Sequence, residues 1–156
     1  MIERTHVSAV RLTELRATTQ LPASSIKPLG FWYEINGDWR RWCASEEPGW
    51  IEGLSLYNVT VGSDARLLTL RSVKDIDRFH AAYSVKKPAW PIRSLISWYE
   101  VAQKYDGVEI TPYMWERRLD GAASDWYYSW DCASGCLWRP HSSSVALTRE
   151  RLEVIG

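Results

Sequence analysis

Residues 30–43 read GFWYEINGDWRRWC and set out a strand, a turn and a helix in direct succession. The run 31–35 is aromatic and β-branched, which favours a strand, and the Asn-Gly pair at 36–37 is typical of a tight turn. Asp38 is a good helix-capping residue, so the spacing predicts a short helix that begins there and stops at the Pro-Gly pair at 48–49. Its apolar face carries Trp39, Trp42 and Cys43. The stretch indicates a domain that mixes strands with helices.

Further strand patterns lie on both sides of this stretch. A first strand is expected to end near His6. Alternation predicts another over 54–61, and a Gly-Ser-Asp turn leads from it into an adjoining apolar strand over 67–70. The remaining predicted strands are 108–110, 134–138 and a last one in the tail at 145–155.

Two helices are predicted between these strands. Ser72 and Asp75 form a start that resembles a capping box, which predicts a helix over 72–83. Pro91 suits a first helical position and the apolar residues up to Ala102 share one face, which predicts a helix over 91–102. Residues 111–125 have no apolar period and predict a polar surface loop. The predicted fold class is α+β, with short strands and three or four short helices in one domain over 1–156.

Composition excludes several classes of protein. The chain has 156 residues with 19 basic and 19 acidic side chains, so bulk charge provides no attraction to nucleic acid or to an acidic membrane. It has no apolar run of membrane-spanning length and no secretory pattern at its start, which favours a cytoplasmic location and no membrane partner. P-loop, G-x-G-x-x-G, H-E-x-x-H and G-x-S-x-G motifs are all missing from the sequence.

Tryptophan and tyrosine dominate the aromatic residues, with ten Trp and eight Tyr against two Phe. These rings carry polar edges, which suit a core that borders a site. They could also serve as stacking platforms for nucleic acid or sugar. Their scattered positions argue against that alternative, because most of them are expected to lie in the core.

A zinc site is weakly indicated and no metal is expected. The possible ligands are Cys43, Cys132, Cys136 and His141. The gap between Cys132 and Cys136 is wrong for a zinc knuckle and no second pair of ligands follows, so buried structural thiols are the better interpretation. His80 is expected to be a partly buried structural residue.

Three separated motifs resemble those of the ADP-ribosyltransferase superfamily, in particular its small phage and bacterial members. Thr5-His6-Val7-Ser8-Ala9-Val10 is similar to the H-x-S/T start, and Gly30-Phe31-Trp32-Tyr33 is similar to the second motif. The segment 105–110, followed by a loop and then Tyr128-Ser129-Trp130-Asp131, is similar to the late portion that carries the acidic residue. Asp131 stands where the superfamily usually has glutamate, and Val7 stands where it often has Gly or Thr.

The resemblance implies a compact domain with a split β-sheet core and NAD as the cofactor. It implies that His6 binds the ribose hydroxyls and that Tyr33, beside Trp32, stacks on nicotinamide. Main-chain groups at Val7 and Ser8 would hold the carboxamide. Asp131 would supply the carboxylate that stabilises the ribose cation, and Glu109, the competing acid, is expected to point away from the cleft.

The resemblance also implies a macromolecular target, chosen by the loop 111–125. Tyr113, Trp115 and Arg117 are the expected recognition residues. The zero net charge favours a protein target over nucleic acid, and relatives of this kind serve as phage anti-defence proteins, toxins or effectors. The alternative is a catalytically inactive relative that acts as a steric, protein-binding inhibitor through its Trp-rich surface.

Overall fold

The computed structural model describes residues 1–87, 94–121 and 123–153. Its strands are β1 Arg4–Ser8, β2 Phe31–Ile35, β3 Ser55–Thr60, β4 Leu67–Leu70, β5 Ser84–Lys86, β6 Ser94–Ile96, β7 Gly107–Ile110, β8 Ser134–Leu137 and β9 Ser144–Arg149. Its α-helices are α1 Asp38–Glu46, α2 Val73–Tyr83, α3 Trp98–Ala102 and α4 Ser124–Tyr127, and 3₁₀ turns span Pro48–Ile51 and Trp115–Arg117. The fold is therefore mixed α+β, as predicted.

Seven strands form one sheet in the order β4-β7-β8-β2-β1-β3-β9, and β5 pairs with β6 in a separate two-stranded sheet. Strands β4 and β7 run parallel, and the other neighbours are antiparallel. Between β1 and β2, Arg4 pairs with Ile35 and Thr5 pairs with Glu34. Beyond those pairs β1 stays paired with β3 and β2 stays paired with β8, so the sheet opens between β1 and β2.

Two cores lie on opposite faces of the sheet, because side chains alternate along each strand. Trp32 and Cys136 belong to the larger core, whereas their neighbours Tyr33 and Leu137 belong to the smaller one. The larger core also takes Phe79 from α2, Trp98 from α3 and Trp126 from α4, together with Trp138, which directly follows β8. None of the helices within the described ranges is long and apolar enough to cross a membrane.

Several elements confirm the sequence predictions. The strand over 31–35 is β2, and the helix predicted at 72–83 is α2. Ser72 is its N-cap and accepts a hydrogen bond from the Asp75 amide at 3.1 Å. The expectation that His80 is a half-buried structural residue is also confirmed, because its Nδ1 accepts a hydrogen bond from Trp126 Nε1 at 3.0 Å.

The helix predicted over 91–102 is wrong in the part that the structure describes. Residues 94–96 form β6, and the helix there is α3, which begins at Trp98; residues 91–93 lie outside the described residues. The N–H of Ile96 donates to the Ser25 carbonyl and its C=O accepts from the Ser25 amide, both at 3.0 Å. Pairing with distant chain therefore outweighs the local helical pattern.

Other predictions need correction as well. The predicted strands 54–61 and 67–70 are β3 and β4, which lie far apart in the sheet instead of pairing. The loop 111–125 contains a 3₁₀ turn and the first residues of α4. The last strand ends at Arg149, and residues 154 and 155 of the predicted tail strand lie outside the described residues.

Candidate functional site

A cavity of about 260 Å³ lies where the sheet opens between β1 and β2. Three chain segments, far apart in sequence, form most of its wall. They contribute Thr5, His6 and Val7, then Trp32, Tyr33 and Glu34, and finally Trp130, Asp131, Cys132 and Ser134, with Lys27 and Trp39 completing the lining. These segments are the ones that carry the three sequence motifs.

Glu34 forms the polar floor of the cavity and is 4% exposed. One carboxylate oxygen accepts a hydrogen bond from Thr5 Oγ1 at 2.7 Å and also pairs with the guanidinium of Arg40. The other oxygen accepts from the Arg40 amide at 2.9 Å. The buried carboxylate is thus fully engaged, and it fixes α1 against the paired ends of β1 and β2.

The first residue of α1 anchors the third segment. Asp38 Oδ2 accepts a hydrogen bond from the Ala133 amide at 2.7 Å. The residue before the helix, Gly37, has a left-handed backbone, and the Asp38 carboxylate does not cap its own helix. The capping role predicted for Asp38 is therefore wrong, and its carboxylate instead holds the chain next to Asp131 in place.

Indole rings line much of the cavity wall. The rings of Trp32 and Trp130 have centroids 5.0 Å apart, and the ammonium of Lys27 lies 5.5 Å from the Trp32 ring centroid. Trp130 is 1% exposed, and its Nε1–H has no hydrogen-bond partner among the described residues. Trp39 adds a third indole from α1. Such a wall favours flat or cationic groups, which indole faces attract.

His6 lies in β1 at the point where β1 and β2 separate. Its Nδ1 donates a hydrogen bond to the main-chain carbonyl of Trp32 at 2.5 Å, and its ring lies 4.5 Å from the ring of Phe31. Because a carbonyl only accepts, Nδ1 carries the proton, which leaves Nε2 as an acceptor in the neutral ring. Burial lowers the pKa of His6 and favours that neutral form.

Tyr33 borders the cavity, but its ring does not present a face to a ligand. The residue is 3% exposed, and its hydroxyl donates to Glu109 Oε2 at 2.8 Å. Arg4 donates to the same carboxylate from Nε at 2.7 Å and from Nη2 at 3.1 Å. The stacking role predicted for Tyr33 does not fit this placement. Trp32, on the cavity face, is the better platform.

Glu109 is completely buried and does not line the cavity. Its partners Arg4 and Tyr33 lie on the face of the sheet opposite to Trp32 and Glu34. The expectation that this carboxylate points away from the cleft agrees with the structure. Glu109 is part of a buried ion-pair network within the fold.

Asp131 lies at the rim of the cavity, with its side chain 32% exposed. Its Oδ1 accepts a hydrogen bond from Arg118 Nη2 at 3.1 Å. Asp131 and Cys132 also line a neighbouring groove of about 480 Å³, together with Trp42, Trp115 and Arg118. The carboxylate therefore borders both the cavity and the groove.

The expected cofactor and recognition residues are not all in one place. Val7 lines the cavity, whereas Ser8 is not in its wall and accepts a hydrogen bond from the Val10 amide at 3.0 Å. Trp115 is 66% exposed beside the groove. Tyr113 is 8% exposed and stacks on a buried tyrosine, so it belongs to the core. Arg117 forms an ion pair with Asp77 at 2.8 Å, outside both the cavity and the groove.

The sequence did not single out several residues of the site as functional candidates. Among them Lys27, Glu34 and Trp39 line the cavity, and Arg118 lines the groove. Trp39 carried a usable signal, because it is the first apolar residue of a helix that directly follows the second motif. The other three carried none, since charged residues at those positions are equally typical of a solvated surface.

The cysteines are buried thiols. Burial raises the pKa of Cys43 to about 11 and that of Cys132 to about 12, and it also raises the pKa of Cys136. Among the residues that the structure describes, no group of three or more His, Cys, Asp or Glu side chains is arranged to hold a metal ion. The structure therefore offers no candidate metal centre there.

Comparison with known proteins gives no further assignment. No family model, no curated protein and no solved structure matches this chain.

Proposed function

We propose that this protein is an NAD-dependent ADP-ribosyltransferase that modifies a protein target. One observation carries the proposal: a single cavity is lined by residues of all three motifs that resemble the superfamily. His6 and Val7 come from the first, Trp32 from the second and Asp131 from the third. Motifs that were short and separate in the sequence share one site in the fold.

The chemistry of the wall supports an oxidised nicotinamide ring as the ligand. Three indoles line the cavity, and the ammonium of Lys27 lies 5.5 Å from the Trp32 ring centroid, so one of these indoles is already in contact with a cation. A pyridinium is flat and cationic, so it would gain both stacking and cation–π energy there. The volume of about 260 Å³ is below the range of about 300–1,000 Å³ for whole ligand pockets, which suits one end of a dinucleotide.

Few groups are needed for the transfer. The bond between ribose C1′ and the pyridinium nitrogen breaks with its electron pair going to nitrogen, and nicotinamide leaves as a neutral molecule. The Asp131 carboxylate would hydrogen-bond the ribose 2′-hydroxyl and stabilise the developing cation. His6 Nε2 would accept from a ribose hydroxyl, and Trp32 would hold the ring. A target nucleophile then bonds to C1′ and releases its proton to solvent.

Titration calorimetry with NAD, followed by an assay for released nicotinamide, tests the proposal. We expect the native protein to bind NAD and to gain thermal stability as NAD is added, because the ligand binds the folded state. Trp39→Ala should weaken this binding by removing one wall of the cavity. The matched control is Trp50→Ala, because Trp50 is 56% exposed and does not line the cavity. Absence of binding at millimolar NAD would contradict the proposal.

A second candidate function is steric inhibition of a protein complex by an inactive relative. It is favoured by the exposure of Trp115 at 66% and Tyr128 at 51%, since exposed aromatic rings are common at interface hot spots. The two functions differ in their response to Asp131→Asn. A transferase loses its biological effect in that variant, whereas a steric inhibitor keeps the effect and loses it in Trp115→Ala.

A further inference from the structure

We infer that Arg118 is a positioning residue that orients the Asp131 carboxylate and links it to the surface on which a target docks. The inference rests on the proposed transferase function. Arg118 follows the 3₁₀ turn Trp115–Arg117, and its side chain is 20% exposed. Its hydrogen bond to Asp131 joins the loop 111–125 to the rim of the cavity.

Four interactions fix the guanidinium of Arg118. Nη2 donates to Asp131 Oδ1 at 3.1 Å, and Nη1 donates to the Tyr113 hydroxyl at 3.2 Å. The central guanidinium carbon lies 4.7 Å from the ring centroid of Tyr128 and 5.7 Å from that of Trp115. A planar cation held by two rings and two hydrogen bonds has little freedom left, so its carboxylate partner is held as well.

The pairing assigns different tasks to the two oxygens of Asp131. Oδ1 is engaged by Arg118, whereas Oδ2 accepts no hydrogen bond from any residue in the described part of the chain. Asp131 lines the cavity, so the second oxygen is the one available to a ribose hydroxyl. A carboxylate fixed on one side in this way is pre-organised for a transition state that develops positive charge.

The same pairing couples the site to target docking. Trp115 and Tyr128 hold Arg118 from the outside and are largely exposed. A protein that covers these rings removes water from the Arg118–Asp131 pair, and the pair becomes stronger in the lower dielectric. Docking therefore tightens the position of the carboxylate at the moment when the acceptor arrives.

Steady-state release of nicotinamide from NAD tests this role. Arg118→Ala should lower kcat about tenfold to a hundredfold, while the KM for NAD stays within about twofold, because the carboxylate loses its orientation and the cavity wall stays intact. Guanidinium chloride at millimolar, non-denaturing concentration should restore much of kcat by occupying the vacated position between the two rings. Sodium chloride at equal concentration should not restore it.

Two further variants keep the test decisive. Arg118→Lys retains the charge without the planar fork and should lie between Arg118→Ala and the native protein, even if the alanine variant folds poorly. Arg16→Ala removes a guanidinium from an exposed ion pair with Glu14 and should leave kcat unchanged. An unchanged kcat in Arg118→Ala, or a loss that guanidinium does not restore, overturns the positioning role alone. A native protein that neither binds NAD nor releases nicotinamide overturns the proposed function and this inference with it.

Discussion

The two acidic residues considered for the proposed transfer reaction, Asp131 and Glu109, should respond in opposite ways to loss of charge. Asp131→Asn and Glu109→Gln each keep the shape of the side chain and remove its charge. Asp131 is 32% exposed and pairs with one arginine at the cavity rim, whereas Glu109 is fully buried and does not line the cavity. We expect one substitution to remove activity and the other to remove stability.

The burial of each ion pair sets the expected loss of stability. Breaking a buried pair by removing one partner costs about 3–5 kcal/mol, and Glu109→Gln should fall near about 3 kcal/mol because its partner Arg4 keeps 23% exposure to water. At about 2–4 °C per kcal/mol for a chain of this size, Tm should fall by about 6–12 °C. The pair of Asp131 with Arg118 lies at the cavity rim, where the Asp131 carboxylate keeps 32% exposure, so it is worth about 1 kcal/mol or less and Tm of Asp131→Asn should stay within about 4 °C.

For activity, we expect the larger loss in Asp131→Asn and the smaller loss in Glu109→Gln. Asp131→Asn should lower the rate of nicotinamide release by about a hundredfold or more, which corresponds to about 2.7 kcal/mol of transition-state stabilisation. Glu109→Gln, assayed well below its Tm, should stay within a few fold of the native rate. Calorimetric unfolding and the nicotinamide assay on the same preparations separate the two effects. Full activity in Asp131→Asn together with an inactive, thermally stable Glu109→Gln would refute the assignment of the acid.

Three more predictions concern the fold around the site. Gly135→Ala should lower the free energy of unfolding by about 1–3 kcal/mol in a urea titration, because the new Cβ would lie 2.4 Å from Cζ of the buried Tyr33 ring. Burial opposes ionisation of Asp106, but hydrogen bonds from two arginines and a histidine outweigh it and hold the pKa of Asp106 well below its usual range. The stability that the ionised Asp106 contributes is therefore present above about pH 4 and is lost as the pH falls further. In urea titrations, the free energy of unfolding should decrease from about pH 5 to about pH 3, and the decrease should be smaller in Asp106→Asn. The buried thiols of Cys43 and Cys132 should resist a thiol reagent until urea is added, and metal analysis should find no stoichiometric zinc; rapid labelling of the native protein or one equivalent of zinc would contradict this.

Local patterns predicted the elements whose stabilising contacts are themselves local. The strand over 31–35 and the helix that begins at the Ser72 cap needed only β-branched and aromatic residues in one case and an N-cap with a helical period in the other. The helix predicted over 91–102 was wrong at 94–96, because the contacts that stabilise this segment come from other parts of the chain. The short apolar run at 94–96 fits the spacing of a helix and also that of a strand. Its pairing with β5 and with Ser25 makes it a strand.

The candidate site was predictable as a set of segments and not as a set of side-chain roles. His6, Val7, Trp32 and Asp131 were named from the sequence and do line one cavity. The role of Tyr33 was not predictable, because the direction of its ring depends on the sheet face that β2 turns toward Glu109. The sequence also could not show which of the adjacent Arg117 and Arg118 contacts Asp131, because that contact depends on how the loop 111–125 folds back toward residue 131.

The sequence by itself determined the α+β class, the strand and helix around residues 30–43, and three short segments that contribute residues to the cavity wall. These features depend on propensities and spacings within about ten residues, which a single chain displays directly. Only the tertiary structure decided the strand order and the opening between β1 and β2. It also decided that Glu109 is buried whereas Asp131 is partly exposed. Those features depend on pairings between residues up to about a hundred positions apart, such as Arg4 with Glu109, and on the alternation of strand faces that such pairing imposes.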